Sequence, residues 1–304
     1  MDKETKAVAI CIATFKRPEL LHNCLASIGQ LIIPDNYTPI IIVFDNDSER
    51  SGEIGFNKAI KNIDIDSYYY VEAERGLSAV RNSLLEKALD HNVDFIAFID
   101  DDELPHKQWL VNMEKGFKIY NSDIVTAPVL PINESVAPDT FTVNPKRPSG
   151  STPRTISTNN VIFRRKLIDE HGLRFDRYFD FIGGEDFDFF DRAIKKGMTP
   201  IWMDDAIVFE TIFPERKTIK YIMYRHFTGG INAIMRYRRH HPLISTWGRY
   251  LPKIIGKIIG ALISLLISPF YEHKKNFNKF LIKASNGIGY LCGLLNIIVE
   301  RYRY

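Results

Sequence analysis

Cysteine is scarce in this chain, whose 304 residues include only Cys11, Cys24 and Cys292. Each lies in its own apolar run, and no CxxC pair occurs. An odd number of isolated cysteines favours neither a disulfide framework nor a zinc site. We therefore expect a reducing, cytoplasmic environment for this protein.

A secretion signal is also lacking at the N-terminus. The charged first residues lead into a short apolar run that ends at Lys16, Arg17 and Pro18. A signal peptide would need a longer apolar stretch followed by a cleavage site of small residues. The sequence therefore predicts no secretion signal.

Acidic residues are nearly absent from the last third of the chain. Residues 1–213 hold 24 basic and 34 acidic residues, a net charge of −10, whereas residues 214–304 hold 16 basic and 3 acidic residues, a net charge of +13. A protein that binds nucleic acid along its length would not concentrate acid in this way, so we expect no nucleic-acid partner. The asymmetry predicts an acidic working domain and a basic tail that faces anions.

Apolar runs alternate with helical patterns over the first hundred residues. The predicted strands of this part are 7–14, 40–44, 68–71 and 95–99. Helices are predicted from Pro18 to near Gly29 and from Leu77 to Ala88. Such alternation is typical of βαβ units, which form a mostly parallel, Rossmann-like α/β sheet with flanking helices.

The following part is less regular. Further strands are predicted at 124–130, 156–164 and 201–209, and a further helix at 185–196. Five prolines within 131–155 predict a loop. From residue 217 onward the pattern is helical and basic.

Carboxylates follow two of the predicted strands at the point where each strand ends. Asp45 and Asp47 follow the second strand, and Asp100, Asp101 and Asp102 follow the fourth. Ligands of open α/β sheets bind outside these strand ends. Adjacent carboxylates repel one another unless a cation is present, and hard oxygen ligands suit Mg²⁺ or Mn²⁺ held together with substrate phosphates. We favour a metal-diphosphate site over the alternative, a solvated acidic loop.

A second acidic segment follows two glycines. Gly183 and Gly184 permit a close backbone approach, and Glu185 and Asp186 come at a predicted helix start, where the helix dipole stabilises anions. Neighbouring phenylalanines can keep one carboxylate partly dry and available as a base. Helix capping alone is the alternative interpretation.

Two arginines flank the start of the third predicted helix. Arg75 and Arg81 are suited to holding a diphosphate leaving group, whose growing charge must be neutralised. Ordinary surface charge is the alternative.

Five segments together resemble family 2 glycosyltransferases with the GT-A fold. They are AVAICIATFKRP, IIVFDNDS, RGLSAVRN, FIDDDELP at the DxD position and GGEDFDFF at the ED position. They follow the family's order and spacing, and the likeness covers most of residues 7–230. The pattern is most similar to cytoplasmic enzymes of bacterial exopolysaccharide and capsule assembly. The resemblance implies a GT-A domain at 1–240 and a basic, apolar helical tail for membrane association at 241–304.

The resemblance also assigns roles to residues. The nucleotide-sugar-binding residues that it implies are Thr14, Phe15, Arg17, Asp45, Arg75, Arg81, Asp100 and Asp101. Among these, Asp45 would bond the base, and Asp100 or Asp101 would contact the ribose. Asp102 would coordinate the Mn²⁺ or Mg²⁺ that bridges the two phosphates.

The same resemblance implies the catalytic residues. Asp186 would be the general base that deprotonates the acceptor hydroxyl, with inversion at the anomeric carbon, and Glu185 would support it or bind the acceptor. The chain departs from the family at Glu210, near a position where many members carry histidine, and His226 is a candidate replacement. The candidates for acceptor or phosphate binding are Glu210, Arg216, Arg225 and His226.

The tail contains the two most apolar segments, 251–270 and 280–299. The first has an uninterrupted run of about ten residues after Lys257, short of the roughly 18–20 that a spanning helix needs. Basic residues flank both segments, which predicts interfacial helices on an anionic membrane or a shallow hairpin within it. A pair of core or dimer helices is the alternative.

Together these patterns predict an inverting, metal-dependent glycosyltransferase. The resemblance further implies that its donor is a nucleotide-diphosphate sugar, a UDP-sugar, and that its acceptor is a glycan linked to polyprenyl diphosphate. It would assemble surface polysaccharide at the cytoplasmic face of the bacterial inner membrane. The alternatives are a nucleotidyltransferase acting on sugar phosphates and a non-catalytic, membrane-bound glycan-binding protein. The first would carry a glycine-rich loop where this chain has TFKRPE.

Overall fold

The computed structural model of the protein describes residues 5–132 and 147–301. The chain forms two compact units: unit 1 is Met1–Asp180 with Glu185–Thr211, and unit 2 is Phe181–Gly184 with Ile212–Tyr304. Residues 133–146 of the predicted 131–155 loop lie outside the described residues. The functional boundary predicted at residue 240 stays a prediction.

Ten strands occur in the described part of unit 1. They are β1 (Lys6–Thr14), β2 (Tyr37–Asp45), β3 (Ser67–Val71), β4 (Phe95–Phe98), β5 (Glu103–Pro105), β6 (Ile124–Thr126), β7 (Val129–Pro131), β8 (Val161–Arg164), β9 (Pro200–Trp202) and β10 (Val208–Glu210). Seven form a sheet of order β3-β2-β1-β4-β8-β6-β9, in which only β8 runs antiparallel to its neighbours. The predicted mostly parallel α/β sheet is confirmed.

A smaller sheet of order β5-β10-β7 corrects two predicted strands. The segments 124–130 and 201–209 were each predicted as one strand, but each contributes a strand to both sheets. The chain crosses from one sheet to the other at Ala127–Pro128 and again at 203–207. Both segments are mostly apolar, and only Pro128 and the pair Asp204–Asp205 interrupt them at the crossings, an interruption too short to predict two separate strands.

Helices cover both faces of the large sheet. The helices of unit 1 are α1 (Pro18–Ile28), α2 (Glu53–Ala59), α3 (Leu77–Asp90), α4 (Trp109–Tyr120), α5 (Lys166–Asp169) and α6 (Glu185–Lys195). Ile10 and Ile12 of β1 join one core cluster with Leu21 of α1, and Ala9 joins the other with Leu84 of α3. A strand buried on both faces needs a continuous apolar run, which is what the sequence shows.

The start of α3 is fixed by a residue that lies far away in sequence. Asp180 accepts the Ala79 N–H through Oδ1 at 2.9 Å, and its backbone oxygen accepts the Leu77 N–H at 3.2 Å. Gly76 precedes the helix with φ +142°. A Cβ atom on Gly76 would lie 2.3 Å from Asp180 Oδ1, so the contact requires glycine.

Unit 2 consists mainly of three long helices, α7 (Ile219–His240), α8 (Leu243–Ile267) and α9 (His273–Leu294). The backbones of α7 and α9 approach closely, since a Cβ on Gly289 would lie 2.1 Å from Phe227 O. One face of α8 is buried, whereas most of its other apolar side chains are exposed. Leu266, for example, is 71% exposed.

Helix α8 is long and apolar enough to cross a membrane by length and composition, the one such helix in the described ranges. This differs from the expectation that its apolar run is too short. The uninterrupted apolar run begins only after Lys257, but the helix begins at Leu243 and continues across Lys253 and Lys257. Length and composition make α8 a candidate membrane-associating element.

We expect Gly76→Ala to lower the free energy of unfolding by about 3 kcal/mol, because it adds both backbone strain and a clash with Asp180. Urea unfolding measures the loss. Gly172→Ala is the matched control: Gly172 also has positive φ, +62°, but nothing lies within 4 Å of its Cβ position. There the cost should be about 1 kcal/mol. Equal losses in the two variants would show that the Asp180 contact is unimportant.

Candidate active site

The predicted site residues of β1, β2 and β4 lie along one edge of the large sheet. Thr14 at the end of β1 is in register with Asp45 at the end of β2. Cys11 of β1 pairs with Phe98 of β4, which places Asp100 just beyond the same edge. Because these strands are parallel, the sheet brings together at one edge residues that are far apart in sequence. Ligands of open α/β sheets bind at this edge.

Hydrogen bonds connect the end of β1 to the aspartates after β4. Thr14 Oγ1 donates to Asp101 Oδ2 at 2.8 Å. Arg17 Nη1 lies 3.2 Å from Asp101 Oδ1 and 3.5 Å from Asp102 Oδ2. The structure therefore gathers four of the predicted ligand-binding side chains into one cluster.

Burial alters the protonation of the carboxyl groups after β4. Loss of solvation raises the pKa of Asp100 to about 6, although the Arg81 guanidinium works against the shift. It also raises the pKa of Asp101 to about 6, against the effect of Arg17. The pKa of Glu103 is raised well above its usual value, by burial and then by the charge of Asp100. The arginines Arg81 and Arg17 therefore offset only part of the effect of burial on these carboxyl groups.

The oxygen donors of this segment fit a divalent metal that is shared with a phosphate ligand. No group of three or more His, Cys, Asp or Glu side chains in residues 5–132 and 147–301 is placed to hold a metal ion. Mg²⁺ sites at phosphates commonly use only one or two protein carboxylates. Asp102, which is 8% exposed, can supply one of them.

Asp45 has an internal role in the structure. It is fully buried, and its Oδ2 accepts the Tyr69 hydroxyl and the Gly52 N–H, both at 2.6 Å. Its Oδ1 accepts the Asp47 N–H at 3.0 Å. The carboxylate therefore holds the turn after β2 in shape. Sequence reasoning missed Tyr69, because nothing in the pattern of β3 indicates a partner in β2.

Phe15 and Arg75, predicted from separate motifs, contact each other. The guanidinium carbon of Arg75 lies 3.7 Å from the centroid of the Phe15 ring. Asn46 holds the Arg75 loop, because its Nδ2 donates to the carbonyls of Glu72 and Glu74, each at 2.8 Å. Asn46 is a second residue that sequence reasoning missed, although it lies within the segment IIVFDNDS.

A buried ion pair joins the two acidic segments of unit 1. The Arg81 guanidinium is paired with the Glu185 carboxylate at the start of α6. Its Nη2 also lies 3.9 Å from Asp100 Oδ1. Arg81 is 8% and Glu185 3% exposed. Arg81 therefore links the end of β4 to the start of α6.

Asp186 has the properties of a base at neutral pH. Burial and then the charge of Glu185 raise its pKa to about 7, while Arg81 opposes the shift. Its Oδ1 accepts the Phe187 N–H at 2.7 Å. A carboxyl group with a pKa near the working pH can both accept and release a proton efficiently.

The remaining candidates are divided between the two units. Glu210 pairs with Glu103 in the β10–β5 register, and its charge adds to the rise in the pKa of Asp100. Arg216, Arg225 and His226 belong to unit 2. Arg225 and His226 are exposed on α7.

Solved structures share this architecture. The S. aureus TarS fragment 1–349 in complex with UDP matches with a TM-score of 0.56 and 14% identity, covering 95% of this chain and 90% of that one. The mannosyltransferase PcManGT from Pyrobaculum calidifontis, in complex with GDP-Man and Mn²⁺, matches with a TM-score of 0.66 and 16% identity, covering 96% and 88%. The sheet and its acidic edge thus define a protein of the GT-A fold.

The sequence comparisons identify the family. The family described as Glycosyl transferase family 2 matches residues 9–175, and Glycosyl transferase family group 2 matches residues 95–295. The succinoglycan biosynthesis protein ExoM of Rhizobium meliloti is 27% identical over 310 residues, covering 99% of this chain and 97% of the relative. This chain belongs to glycosyl transferase family 2 and is a glycosyltransferase.

Proposed function

We propose that the protein transfers a sugar from a nucleotide diphosphate, a UDP-sugar, to a hydroxyl group of a glycan, with inversion and with a divalent metal. The observation that carries the proposal is the pair of distinct acidic sites that Arg81 joins. One lies after β4, where Asp102 and Arg17 adjoin. The other is Asp186, whose pKa burial raises to about 7. The first suits a diphosphate and the second an acceptor hydroxyl.

Asp102 would hold Mn²⁺ or Mg²⁺ together with the donor's phosphates. The metal would neutralise the charge that grows on the diphosphate as it leaves. Arg17 and Arg75 supply further positive charge at the same sheet edge. Thr14 fixes the carboxylate of Asp101, so that group keeps its orientation toward the donor.

Asp186 would accept the proton of the acceptor hydroxyl. As that oxygen forms its bond to the anomeric carbon, the bond from this carbon to the diphosphate oxygen breaks, and the electron pair leaves with the nucleotide. Attack from the face opposite the leaving group inverts the anomeric centre. Arg81 would act as a positioning residue, since it holds Glu185 and thereby the start of α6.

The relatives support the substrate class. The solved neighbours hold UDP in one case and GDP-Man with Mn²⁺ in the other. The relative ExoM is named for succinoglycan biosynthesis. We therefore propose that this chain acts in assembly of a bacterial exopolysaccharide, on an acceptor linked to polyprenyl diphosphate.

The exposed apolar face of α8 supports attachment to the cytoplasmic face of the inner membrane. Ile258, Ile259, Leu262 and Ile263 are each about half exposed. Apolar surface bordered by basic residues binds an anionic membrane surface. The attachment would bring the enzyme to a lipid-linked acceptor.

Asp186→Asn should lower kcat by about 10²- to 10⁴-fold, because the amide cannot accept the proton. In the wild-type enzyme, kcat/KM should rise with pH through about 7, since the deprotonated form is active and burial raises the pKa of Asp186 to about 7. A mass-spectrometric screen of nucleotide sugars first identifies the donor. Release of UDP from that donor then measures kcat of the variant and the pH dependence of kcat/KM. Asp191→Asn on the same helix is the control. A wild-type rate in Asp186→Asn would exclude Asp186 as the base.

Asp102→Asn should abolish the gain in UDP affinity that Mn²⁺ gives, a loss of at least about tenfold. Isothermal titration of UDP with and without Mn²⁺ measures this gain. Asp90→Asn, at the exposed end of α3, should bind like the wild-type protein. If UDP bound the wild-type protein equally well without metal, the proposed metal dependence would be wrong.

Replacing both Ile259 and Leu266 with asparagine should weaken binding to vesicles that contain anionic lipid by about tenfold. Neither position could then bury an apolar side chain in the membrane. A flotation assay measures the bound fraction. The matched control replaces Ile54 and Ile119, which are equally apolar and are 77% and 65% exposed on unit 1. Equal losses in the two double variants would argue against α8 as the attachment.

A further inference from the structure

Two lysines cross the seam between α8 and α9 in a reciprocal arrangement. Lys283 of α9 packs against Gly260 of α8, and its Nζ donates to Gly260 O at 3.0 Å and Ser264 Oγ at 3.1 Å. The Cβ of Lys257 of α8 lies 3.4 Å from the Cβ position of Gly287 on α9. Gly260 is three residues beyond Lys257, and Gly287 four beyond Lys283, so the two lysines lie about one helical turn apart.

No carboxylate of the described residues lies within ion-pair distance of Lys257 or Lys283. Unit 2 contains just three acidic residues, Glu215, Glu272 and Glu300, and Glu272 pairs with Lys275 at 2.8 Å. The two lysines therefore bring positive charge to the seam without a carboxylate partner among the described residues. The seam therefore has an excess of positive charge that an external anion would offset.

Arg225 of α7 extends this positive region, and His226 beside it responds to the charge. Burial lowers the pKa of His226, and the charges of Lys257 and Arg225 lower it further. The Asn286 side chain of α9 donates to His226 O at 2.9 Å, which holds α7 against the same stretch of α9. Arg225, Lys257 and Lys283 thus form one cationic cluster within unit 2, next to His226.

The cationic cluster adjoins the apolar face of α8. Ile258 and Ile259 follow Lys257 directly, and both are about half exposed. A soluble anion would use the charge but leave this apolar surface in water. A ligand with an anionic head and a long hydrocarbon chain would satisfy both.

We propose that the Lys257–Lys283 seam binds the terminal phosphate or diphosphate of a membrane lipid, whose chain lies along the exposed face of α8. The inference rests on the proposed function in one respect: an acceptor linked to a lipid diphosphate would present this headgroup. Lysine binds phosphate as a point charge, and basic pockets between membrane helices bind anionic headgroups. Two lysines on one seam offer two positive charges, which match the two charges of a terminal phosphate better than the single charge of a phosphodiester.

The test compares binding of the full chain to three kinds of phosphatidylcholine vesicles: plain, with phosphatidic acid, and with phosphatidylserine at matched surface potential. The wild-type protein should bind the phosphatidic acid vesicles several-fold more tightly than the phosphatidylserine ones. Lys257→Gln, which removes no hydrogen bond described in the structure, should reduce binding to phosphatidic acid vesicles about fivefold. Adding Lys283→Gln should reduce it about 25-fold in total, taking about 1 kcal/mol per basic residue.

The matched control is Lys220→Gln with Lys274→Gln, which removes the same charge from exposed positions of α7 and α9. This variant should keep the preference for phosphatidic acid. The proposal is overturned if the wild-type protein has no such preference, or if both double variants lose it equally. Inorganic pyrophosphate should displace the protein from the vesicles only in part, because it competes for the lysines but not for the apolar face of α8. Complete displacement would identify a soluble phosphate as the ligand instead.

A third measurement separates this proposal from the proposed function. UDP release from the donor with water as acceptor should be unchanged in Lys257→Gln. If the lipid preference is absent while UDP release persists, the lipid site is wrong and the transferase assignment stands. If UDP release is absent in the wild-type protein, the proposed function itself is contradicted.

Discussion

The site depends above all on the buried ion pair between Arg81 and Glu185. The start of α6 and the end of β4 both carry carboxylates, which would repel one another across a poorly solvated space. Arg81 lies between them, paired with Glu185 and 3.9 Å from Asp100. Removing one partner of a buried pair typically costs about 3–5 kcal/mol, since the other charge remains buried. The pair therefore holds the two acidic sites at a fixed separation and limits the rise in the pKa of Asp186.

The parallel sheet determines which residues can share this site. Parallel strands end at a common edge, so Thr14, Asp45 and Asp100 lie at the same end of the sheet, although the chain between Thr14 and Asp100 forms α1, α2 and α3 as well as β2, β3 and β4. The edge is then stiffened by local bonds, such as Thr14 to Asp101. The carboxylates at this edge have backbone and hydroxyl partners that fix their direction, as a preorganised binding site requires.

The sequence was informative where a single segment determines the structure. Runs buried on both faces predicted β1, β2 and β4, and the acidic segments were correctly located at the ends of β4 and β2 and at the start of α6. It failed where two distant segments must be known together. The bond from Tyr69 to Asp45 depends on the β2–β3 register, and the division of 124–130 between two sheets depends on what packs against each half. No local pattern encodes either.

The formal charge of +3 is the sum of an acidic and a basic part of the chain, which the structure places in two separate units. In unit 1 the acidic segments keep arginines close, so much of their charge is neutralised internally. Unit 2 has almost no acid with which to do the same for its own lysines. Lys283 instead uses a backbone carbonyl and a hydroxyl, which satisfy its donors but carry no net charge. Hydrogen bonding and charge compensation are separate, and for Lys283 the described residues supply only hydrogen bonds. In the proposed complex, a lipid phosphate would supply the negative charge.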